Sequence, residues 1–254
     1  MEPLFPPESA IRRIGGESVL MLGGGRALLM QVAHPVVAAG VRGHSGYETE
    51  PWRRLARTMS ALYAIVFGTA DEATRVGAAT RAVHAHVPGA EDADAQAWVH
   101  ATLVDTGIVM YERFVGPLRT REQEAFYDDM KVVAGYFDVP WVPGTLAEFR
   151  EYQRETIPTL RVGDDARAVA STVLAPPVPR ALRPLVRALN VVTVGLLPEE
   201  LREQYGFRWT RAHASALRGQ ARTVRTALPA TPKRLRALEP GRTIPMRLLA
   251  ALAR

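Results

Sequence analysis

The chain has 254 residues, of which 47% are hydrophobic and 23% are charged, a composition typical of one globular domain with a substantial core. It contains no cysteine, which excludes a disulfide framework, a cysteine zinc site, an iron–sulfur cluster and a cysteine nucleophile. The net charge of +6 comes from arginines spread along the whole chain, and aromatic residues make up only 7%, so we do not expect a nucleic-acid partner.

The most apolar stretch of the chain, residues 17–42, is interrupted by three consecutive glycines, by Arg26 and by the pair His34-Pro35. A membrane-spanning helix needs about 20 consecutive apolar residues, so this stretch does not predict one. It also lacks the short apolar region followed by a small-residue cleavage site that marks a secretory signal. We therefore expect a cytoplasmic protein.

Helical periodicity runs through almost the whole chain, and no segment alternates for long with a period of two. Residues 26–34 are apolar on nearly every side, which predicts a buried helix. The segment 52–67 carries one apolar stripe and ends at Gly68. Thr69 is then placed to cap a helix over about 71–87.

Six more helices are predicted in the rest of the chain. They cover about 94–115, 121–136, 146–156, 164–174, 181–195 and 199–227, the last with a break near Gly206. Two of them begin with the pattern of a capping box, formed by Thr120 with Gln123 and by Thr145 with Glu148. About nine helices and no strands predict a single all-α domain over residues 1–228.

Residues 229–254 differ in composition from the helices before them, because prolines and basic residues become frequent. This pattern predicts a basic C-terminal tail that is packed on the domain or trails from it. The sequence MRLLAALAR, residues 246–254, could form a short amphipathic helix. Docking on the domain is the simpler interpretation of that helix, and membrane contact is the alternative.

The histidines are the natural candidates for a metal or cofactor site, since cysteine is absent. They are His34, His44, His84, His86, His100 and His213. No pair has the i, i+4 spacing of a two-histidine metal face, and no Glu-x-x-His repeat of the di-iron kind occurs. A site with several histidines would have to be assembled from different helices. A haem with one axial histidine needs only a single histidine from the protein, so it does not depend on the spacing between histidines.

The predicted 71–87 helix distinguishes its two histidines by angle. Its apolar stripe consists of Ala73, Val76, Thr80, Val83 and Val87. His84 lies at the edge of this stripe, about 60° from its centre, whereas His86 lies nearer to solvent. Gly77 beside His84 would leave room for a flat ligand, and Arg81 could pair with a propionate. The alternative is a structural histidine at the edge of the core, hydrogen-bonded to a carbonyl.

Three other places carry polar residues that could serve a site. Arg54 and Thr58 share one face of the 52–67 helix, with Arg57 at its side, although solvated arginines would explain this pattern equally well. His34 and His100 lie in strongly apolar helices, and each therefore needs a hydrogen-bond partner or a cofactor.

The stretch LGGGRALLMQVAHP, residues 22–35, lacks the Gly-Lys-Ser/Thr of a phosphate loop, and no strand precedes it. A nucleotide-binding loop is therefore not predicted there. We expect its glycines to permit close helix packing or a tight turn.

Several motifs occur together in a fixed order. They are LGGGRALLMQVAHPVVAAGV, HSGYETEPWRRLARTMSALYAIVFG, RAVHAHVPG, WVHATLVDTGIVMYERFVGPL and LLPEELREQYGFRW. In this combination the chain resembles the family of the oxygenase MpaB and the latex-clearing rubber oxygenases. The resemblance implies an all-helical fold with a globin-like core. It also implies one b-type haem, held through a single histidine, and oxidation of a substrate with dioxygen.

The resemblance assigns roles to individual residues. It places the proximal histidine on His84, with its preceding arginine on Arg81. It places the arginine and threonine of the distal side on Arg54 and Thr58. The lysine that ligates iron in rubber oxygenases corresponds to Arg57, which cannot lose its proton and is a poor ligand.

A sixth ligand or a distal hydrogen-bond donor would then come from His34, His44 or His100. We expect Arg57, Arg81, Gly77 and His100 to contact the cofactor, and His34 to act with Arg54 and Thr58 in catalysis.

The predicted function is that of a haem b-dependent oxygenase whose iron and dioxygen act on a small apolar substrate of unknown identity. Polyisoprene cleavage is not carried over from the rubber-cleaving members, because the resemblance to that branch is remote. The alternative function is a haem or hydrophobic-ligand binder on the same fold, without turnover.

Overall fold

The computed structural model describes residues 2–44 and 51–238, without the side chains of residues 44 and 51–55. Within these ranges the protein is all-α, as predicted, and it has no strand, only two isolated β-bridges. The first helices are α1 (Ala10–Gly15), α2 (Gly24–Gln31), α3 (Pro35–His44), α4 (Pro51–Phe67), α5 (Ala70–His84), α6 (Ala93–Phe114) and α7 (Thr120–Tyr136). They are followed by α8 (Leu146–Thr156), α9 (Asp164–Leu174), α10 (Arg183–Gly195), α11 (Glu199–Gln204), α12 (Arg211–Ala227) and α13 (Lys233–Arg236).

The thirteen helices of the described residues exceed the nine predicted, because the predicted 199–227 helix is divided into α11 and α12, and α1, α3 and α13 are not among the nine. Val32 to His34 form a turn that separates α2 from α3, so α3 begins at Pro35, where the missing N–H costs nothing. The predicted break near Gly206 is confirmed, since Gly206 has φ of +72° between α11 and α12.

Side-chain caps fix several helix starts. Thr69 accepts a hydrogen bond from the amide of Glu72, and the Glu72 carboxylate accepts one from the amide of Thr69 at 2.8 Å. Thr145 and Glu148 form the same reciprocal pair, as predicted. The capping box predicted for Thr120 with Gln123 is wrong by one residue, because α7 begins at Thr120 and its N-cap is the residue before.

The core is built around α6, the longest helix, with 22 residues. Twelve of these residues are buried, so α6 is covered on most of its circumference. Trp98 is fully buried and its indole N–H donates to the carbonyl of Met30 in α2 at 2.8 Å. Helix α6 also contacts α1, α7 and α12, which makes it the element against which the others are positioned.

The glycine-rich stretch packs helices closely, as predicted. A Cβ at Gly23 would lie 2.7 Å from side-chain atoms of Thr106 and Met110 in α6. A Cβ at Gly25 would lie 2.5 Å from the hydroxyl of Thr193 in α10. These two positions bring α2 against α6 and α10 at distances that no other residue would allow.

Arg26 is buried between the same helices, with 2% of its surface exposed. Its guanidinium donates to the carboxylate of Asp105 at 2.6 Å and to the hydroxyl of Thr106 at 2.7 Å. It also donates to the carbonyl of Leu196, after the end of α10, at 2.6 Å. A buried charge requires such partners, so Arg26 links α2, α6 and the end of α10.

The start of the predicted tail is packed on the domain. Leu238 is fully buried, and its amide donates to the carbonyl of Gly16 at 2.7 Å. Arg236 makes three hydrogen bonds to the carboxylate of Glu17, at 2.7 to 3.0 Å. The amphipathic segment predicted at 246–254 lies outside the described residues. In the part of the chain that is described, no helix has the length and apolar character needed to cross a membrane.

The Arg26 contacts generate a prediction on stability. We expect Arg26→Met to lower the free energy of unfolding by about 3 kcal/mol, since it leaves Asp105 and Thr106 without their buried partner. Urea unfolding followed by circular dichroism measures this loss. The matched control is Arg154→Met, which removes an exposed pair with Glu151 and should change stability by less than about 1 kcal/mol. Equal effects of the two substitutions would contradict a central role for Arg26.

Candidate functional site

Helices α4 and α5 form a hairpin that brings together the two segments with predicted site residues. They are connected by Gly68 and Thr69 only, and they contact each other. The turn is held by the N-terminal segment, because the amide of Leu4 donates to the carbonyl of Gly68 at 2.8 Å. The backbones of Arg54 and His84 each lie near the end of their helix that is far from this turn.

His84 is the last residue of α5, and its side chain is exposed. The predicted apolar stripe is therefore wrong at this end of the helix. Ala73 and Gly77 are the buried residues of α5, whereas Val83 is 66% exposed. The reason is that the neighbouring helices cover α5 only as far as Gly77, and its last turn extends beyond them.

Gly77 serves helix packing in the described structure. A Cβ at this position would collide with the backbone carbonyl oxygen of Tyr136, the last residue of α7. The room for a flat ligand that we predicted at Gly77, beside His84, is thus occupied by the end of α7. The periodicity of α5 alone gives no sign of this contact, because it depends on where α7 ends.

Arg81 is engaged with the end of α7 as well. Its guanidinium lies 2.5 Å from the carboxylate of Asp138, and both side chains are about half exposed. Asp138 has φ of +53°, in the left-handed region, where a short polar side chain is better tolerated than most. An exposed pair of this kind contributes little to stability, so Arg81 could exchange its partner for another anion at small cost.

The distal residues implied by the resemblance lie on α4, on the other arm of the hairpin. Arg57 and Thr58 have exposed side chains. The side chains of Arg54 and His44 lie outside the described part of the structure, although both residues belong to described helices. The α4 positions and His84 thus belong to the two arms of one helical hairpin.

His100 is not part of this surface. It is buried in α6, with 4% of its surface exposed, and its Nε2 atom has no hydrogen-bond partner among the described residues. Burial lowers the pKa of His100 to about 4, because the apolar surroundings disfavour the charged imidazolium. The carboxylate of Asp105, on the same helix, binds Arg26.

His34 lies at the junction of α2 and α3, beside a different cavity of about 290 Å³. Its Nδ1 atom is buried without a hydrogen-bond partner in the described structure. Burial lowers the pKa of His34, and the carboxylates of Asp92 and Asp94 oppose that shift. The residues that line the cavity belong to the α2–α3 junction, α6, α8 and the segment after α8, and none belongs to α4 or α5. The predicted catalytic role of His34 stays a prediction.

The residue types around His84 fit a b-type haem. An imidazole such as that of His84 can ligate haem iron, and Arg57 and Arg81 are exposed cations that can pair with propionates. Val83 and the exposed alanines of the same turn add an apolar surface. Among the described side chains, no group of three histidine, aspartate or glutamate residues could hold a metal ion.

Comparison with known proteins gives one match. Residues 11–226 match the model of a family described as ER-bound oxygenase mpaB/B'/rubber oxygenase, catalytic domain. No curated protein matches the chain, and neither does any solved structure. The match covers most of the chain and confirms the resemblance inferred from the motifs, while the implied globin-like core stays a prediction.

The contact of Gly77 with α7 generates a second prediction. We expect Gly77→Ala to destabilise the protein by about 2 kcal/mol, because the added methyl group must displace the end of α7. Thermal unfolding measures the change. The control is Gly219→Ala in α12, where a Cβ would meet no atom within 4 Å, and where the substitution should stabilise by up to about 1 kcal/mol. Similar melting temperatures for both variants would refute the close contact.

The burial of His100 generates a third prediction, on pH dependence. Its pKa is about 4 in the folded protein and 6.5 in the unfolded chain, so between these values the unfolded chain binds more protons. We therefore expect stability to fall as the pH decreases from about 6.5 to about 4, by about 3 kcal/mol from this group.

Urea unfolding of the wild type and of His100→Phe at pH 7 and pH 4.5 tests this expectation. The variant should lose less stability on acidification than the wild type, whatever its stability at pH 7. The exposed His86 offers the control, since His86→Phe should keep the wild-type dependence. An unchanged dependence in His100→Phe would show that His100 does not carry the effect.

Proposed function

Because the chain belongs to the family of the oxygenase mpaB and rubber oxygenase catalytic domains, we propose that it is a haem-dependent oxygenase that uses dioxygen to oxidise a small apolar substrate. The observation that carries this proposal is the α4–α5 hairpin, whose arms carry His84 on α5 and Arg54, Arg57 and Thr58 on α4. Family membership supports oxygenase chemistry, and the geometry supports a site built on one histidine.

His84 is the residue that we propose to hold the iron, from the end of α5. Arg57 and Arg81 would bind the two propionates, one from each arm of the hairpin. When bound, haem b supplies a redox-active iron that can activate dioxygen. Arg81 would exchange Asp138 for a propionate, because the exposed ion pair between the two residues is weak.

Two residues of α4 would bind and orient the oxygen. Arg54 and Thr58 are four residues apart in α4, and a guanidinium and a hydroxyl at these positions would both be hydrogen-bond donors. Donors fixed in this way stabilise negative charge that develops on an oxygen atom. Because a guanidinium retains its proton, Arg57 would act as a cation and a donor rather than as an iron ligand.

An apolar substrate would contact the surface around the last turn of α5. Val83 is exposed there, together with Ala79 and Ala82. Burial of this surface by a ligand removes apolar area from water and excludes water from the neighbourhood of His84. The cytoplasmic location and the absence of a nucleic-acid partner stay predictions.

The open surface around His84 favours a second candidate function, in which the protein binds haem or a hydrophobic ligand without turnover. Enzymes usually enclose the reacting groups, and the described side chains leave this end of the hairpin exposed. Oxygen consumption separates the two candidates. Sustained oxygen uptake by the reduced, haem-loaded protein in the presence of an apolar substrate supports the oxygenase. Stable haem binding without uptake supports the binder.

The absorption spectrum of the haem-loaded protein tests the assignment of His84. We expect a Soret band in the wild type that is lost or shifted in His84→Ala, because the variant lacks the axial nitrogen. His86→Ala is the matched control, since His86 is exposed two residues away and its Nδ1 atom is already hydrogen-bonded to the carbonyl of Ala82. An unchanged haem spectrum in His84→Ala would remove the central assignment.

A further inference from the structure

Two segments of the chain, residues 166–198 and 204–238, contain no aspartate or glutamate. Together they carry twelve arginines and lysines, whereas the other 20 basic residues are outnumbered by the 26 acidic ones, all of which lie elsewhere in the chain. The net charge of +6 is therefore the sum of a strongly positive part and a negative remainder. Such an asymmetry indicates contact with an anionic partner.

Helices α10 and α12, one from each of these segments, pack against each other in opposite directions. The side-chain amide of Gln220 donates to the carbonyl of Ala188 at 3.1 Å. Further along α10, a Cβ at Gly195 would lie 2.8 Å from the side chain of Leu217, which comes earlier in α12. The start of α10 therefore lies beside the last turns of α12, and the two acid-free segments meet there.

Five arginines are exposed on this pair of helices. Arg183 and Arg187 are four residues apart on α10. Arg218, Arg222 and Arg225 lie within about 60° of each other around the axis of α12. None of the five forms an ion pair with another described residue. Their positive charge is therefore not neutralised within the described structure.

Two leucines at the start of α10 are exposed next to these arginines. Leu182 is 46% exposed and Leu185 is 57% exposed. By helical angle Leu185 lies about 20° from Val192, which is buried, so the apolar face of α10 extends past the core into solvent. An apolar face bordered by arginines is typical of a segment that lies in a membrane interface. We refer to these two leucines and the five arginines as the basic surface.

We propose that the basic surface binds the surface of a membrane that contains anionic lipids. The guanidinium groups would pair with the phosphates of the lipid headgroups. Leu182 and Leu185 would enter the boundary between the headgroups and the acyl chains, where apolar side chains leave water. The contact is peripheral, so it requires no helix that crosses the membrane.

Charge and composition favour this partner over three others. A second copy of the chain would present the same positive charge and be repelled. Residues 239–254 contain three arginines and one glutamate, so they are not complementary to the basic surface either. A nucleic acid would pair with the arginines, but the basic surface contains no aromatic ring on which bases could stack, and its leucines would have no apolar partner.

The basic surface is independent of the proposed haem site, because it contains no residue of α4 or α5. Vesicle binding is therefore measured on the full-length protein without haem. The variant His84→Ala should bind vesicles as the wild type does, whether or not it has lost haem binding. The two proposals can consequently fail separately.

Sedimentation with lipid vesicles tests the proposal. We expect the wild type to bind vesicles of equimolar phosphatidylcholine and phosphatidylglycerol, and not vesicles of phosphatidylcholine alone. Binding should weaken as the salt concentration rises, because salt screens the charges. Arg183→Gln, Arg187→Gln and Arg222→Gln in one protein should weaken binding by at least about tenfold, because three cations near the lipid surface are lost.

The matched control removes the same amount of charge from other helices. It combines Arg75→Gln, Arg121→Gln and Arg154→Gln, which replace exposed arginines of α5, α7 and α8. This variant has the same net charge as the first one, and it should bind anionic vesicles with an affinity within about twofold of the wild type, because its substitutions lie outside the surface that meets the lipid. An equal loss in the two triple variants would show that binding follows net charge and would overturn the proposal.

The leucines distinguish a lipid surface from a soluble polyanion. Leu182→Ser together with Leu185→Ser should weaken vesicle binding several-fold and leave binding of a single-stranded oligonucleotide unchanged, since only the lipid offers an apolar layer. Val132→Ser is the control, because Val132 is 45% exposed on α7, and it should bind vesicles as the wild type does.

Three other results decide against the proposal. Equal binding to neutral and anionic vesicles would show that charge is not recognised. Wild-type vesicle affinity in the double leucine variant, together with tight oligonucleotide binding by the wild type, would identify a nucleic-acid surface instead. Thermal unfolding establishes that each variant is folded, so wild-type affinity in the folded variant of Arg183, Arg187 and Arg222 would overturn the proposal directly.

Discussion

The buried guanidinium of Arg26 is the constraint on which the helix arrangement depends. A charge in the core must have all its partners in place, and those partners lie on α6 and at the end of α10. Gly23 and Gly25 allow the close approach that these short hydrogen bonds require. Any shift of α2 along α6 would separate the charge from Asp105, so one register is strongly preferred.

That register also positions features far from Arg26. Trp98 donates to Met30 one turn further along the same pair of helices, and beyond it the start of α6 meets the end of α2. Asp94 and His34 come together at that meeting point, and they form two walls of the cavity beside α8. The polar cavity is therefore a consequence of how the apolar core is aligned.

Sequence reasoning succeeded where local chemistry decides the structure. Thr69 and Thr145 mark helix starts because their hydroxyls accept from amides three residues later, and Gly206 marks a break because it adopts a positive φ. The hairpin of α4 and α5 follows from Gly68 and Thr69 in the same way. These features depend on residues within one turn of each other.

Sequence reasoning failed where contacts between segments far apart in the chain determine the structure. The periodicity of α5 places Val83 in an apolar stripe, but the end of α7 covers the helix only near Gly77, and no pattern within α5 records where α7 ends. The cavity beside His34 combines residues about 60 positions apart along the chain, and the partners of an isolated histidine are invisible in one sequence. The histidines also differ in burial. The angular position of a residue on its own helix did not predict how exposed its side chain is, because exposure depends on neighbouring helices.

The contacts of Arg236 and Leu238 show that the packed structure extends beyond the segment that matches the family. The segment shared with the oxygenase family ends at residue 226, yet the ion pair with Glu17 and the buried Leu238 belong to the same packed structure. A fragment cut at the family boundary would expose an apolar site beside Gly16 and leave a carboxylate without its partner. The segment that matches the family model is thus shorter than the packed structure that the described residues form.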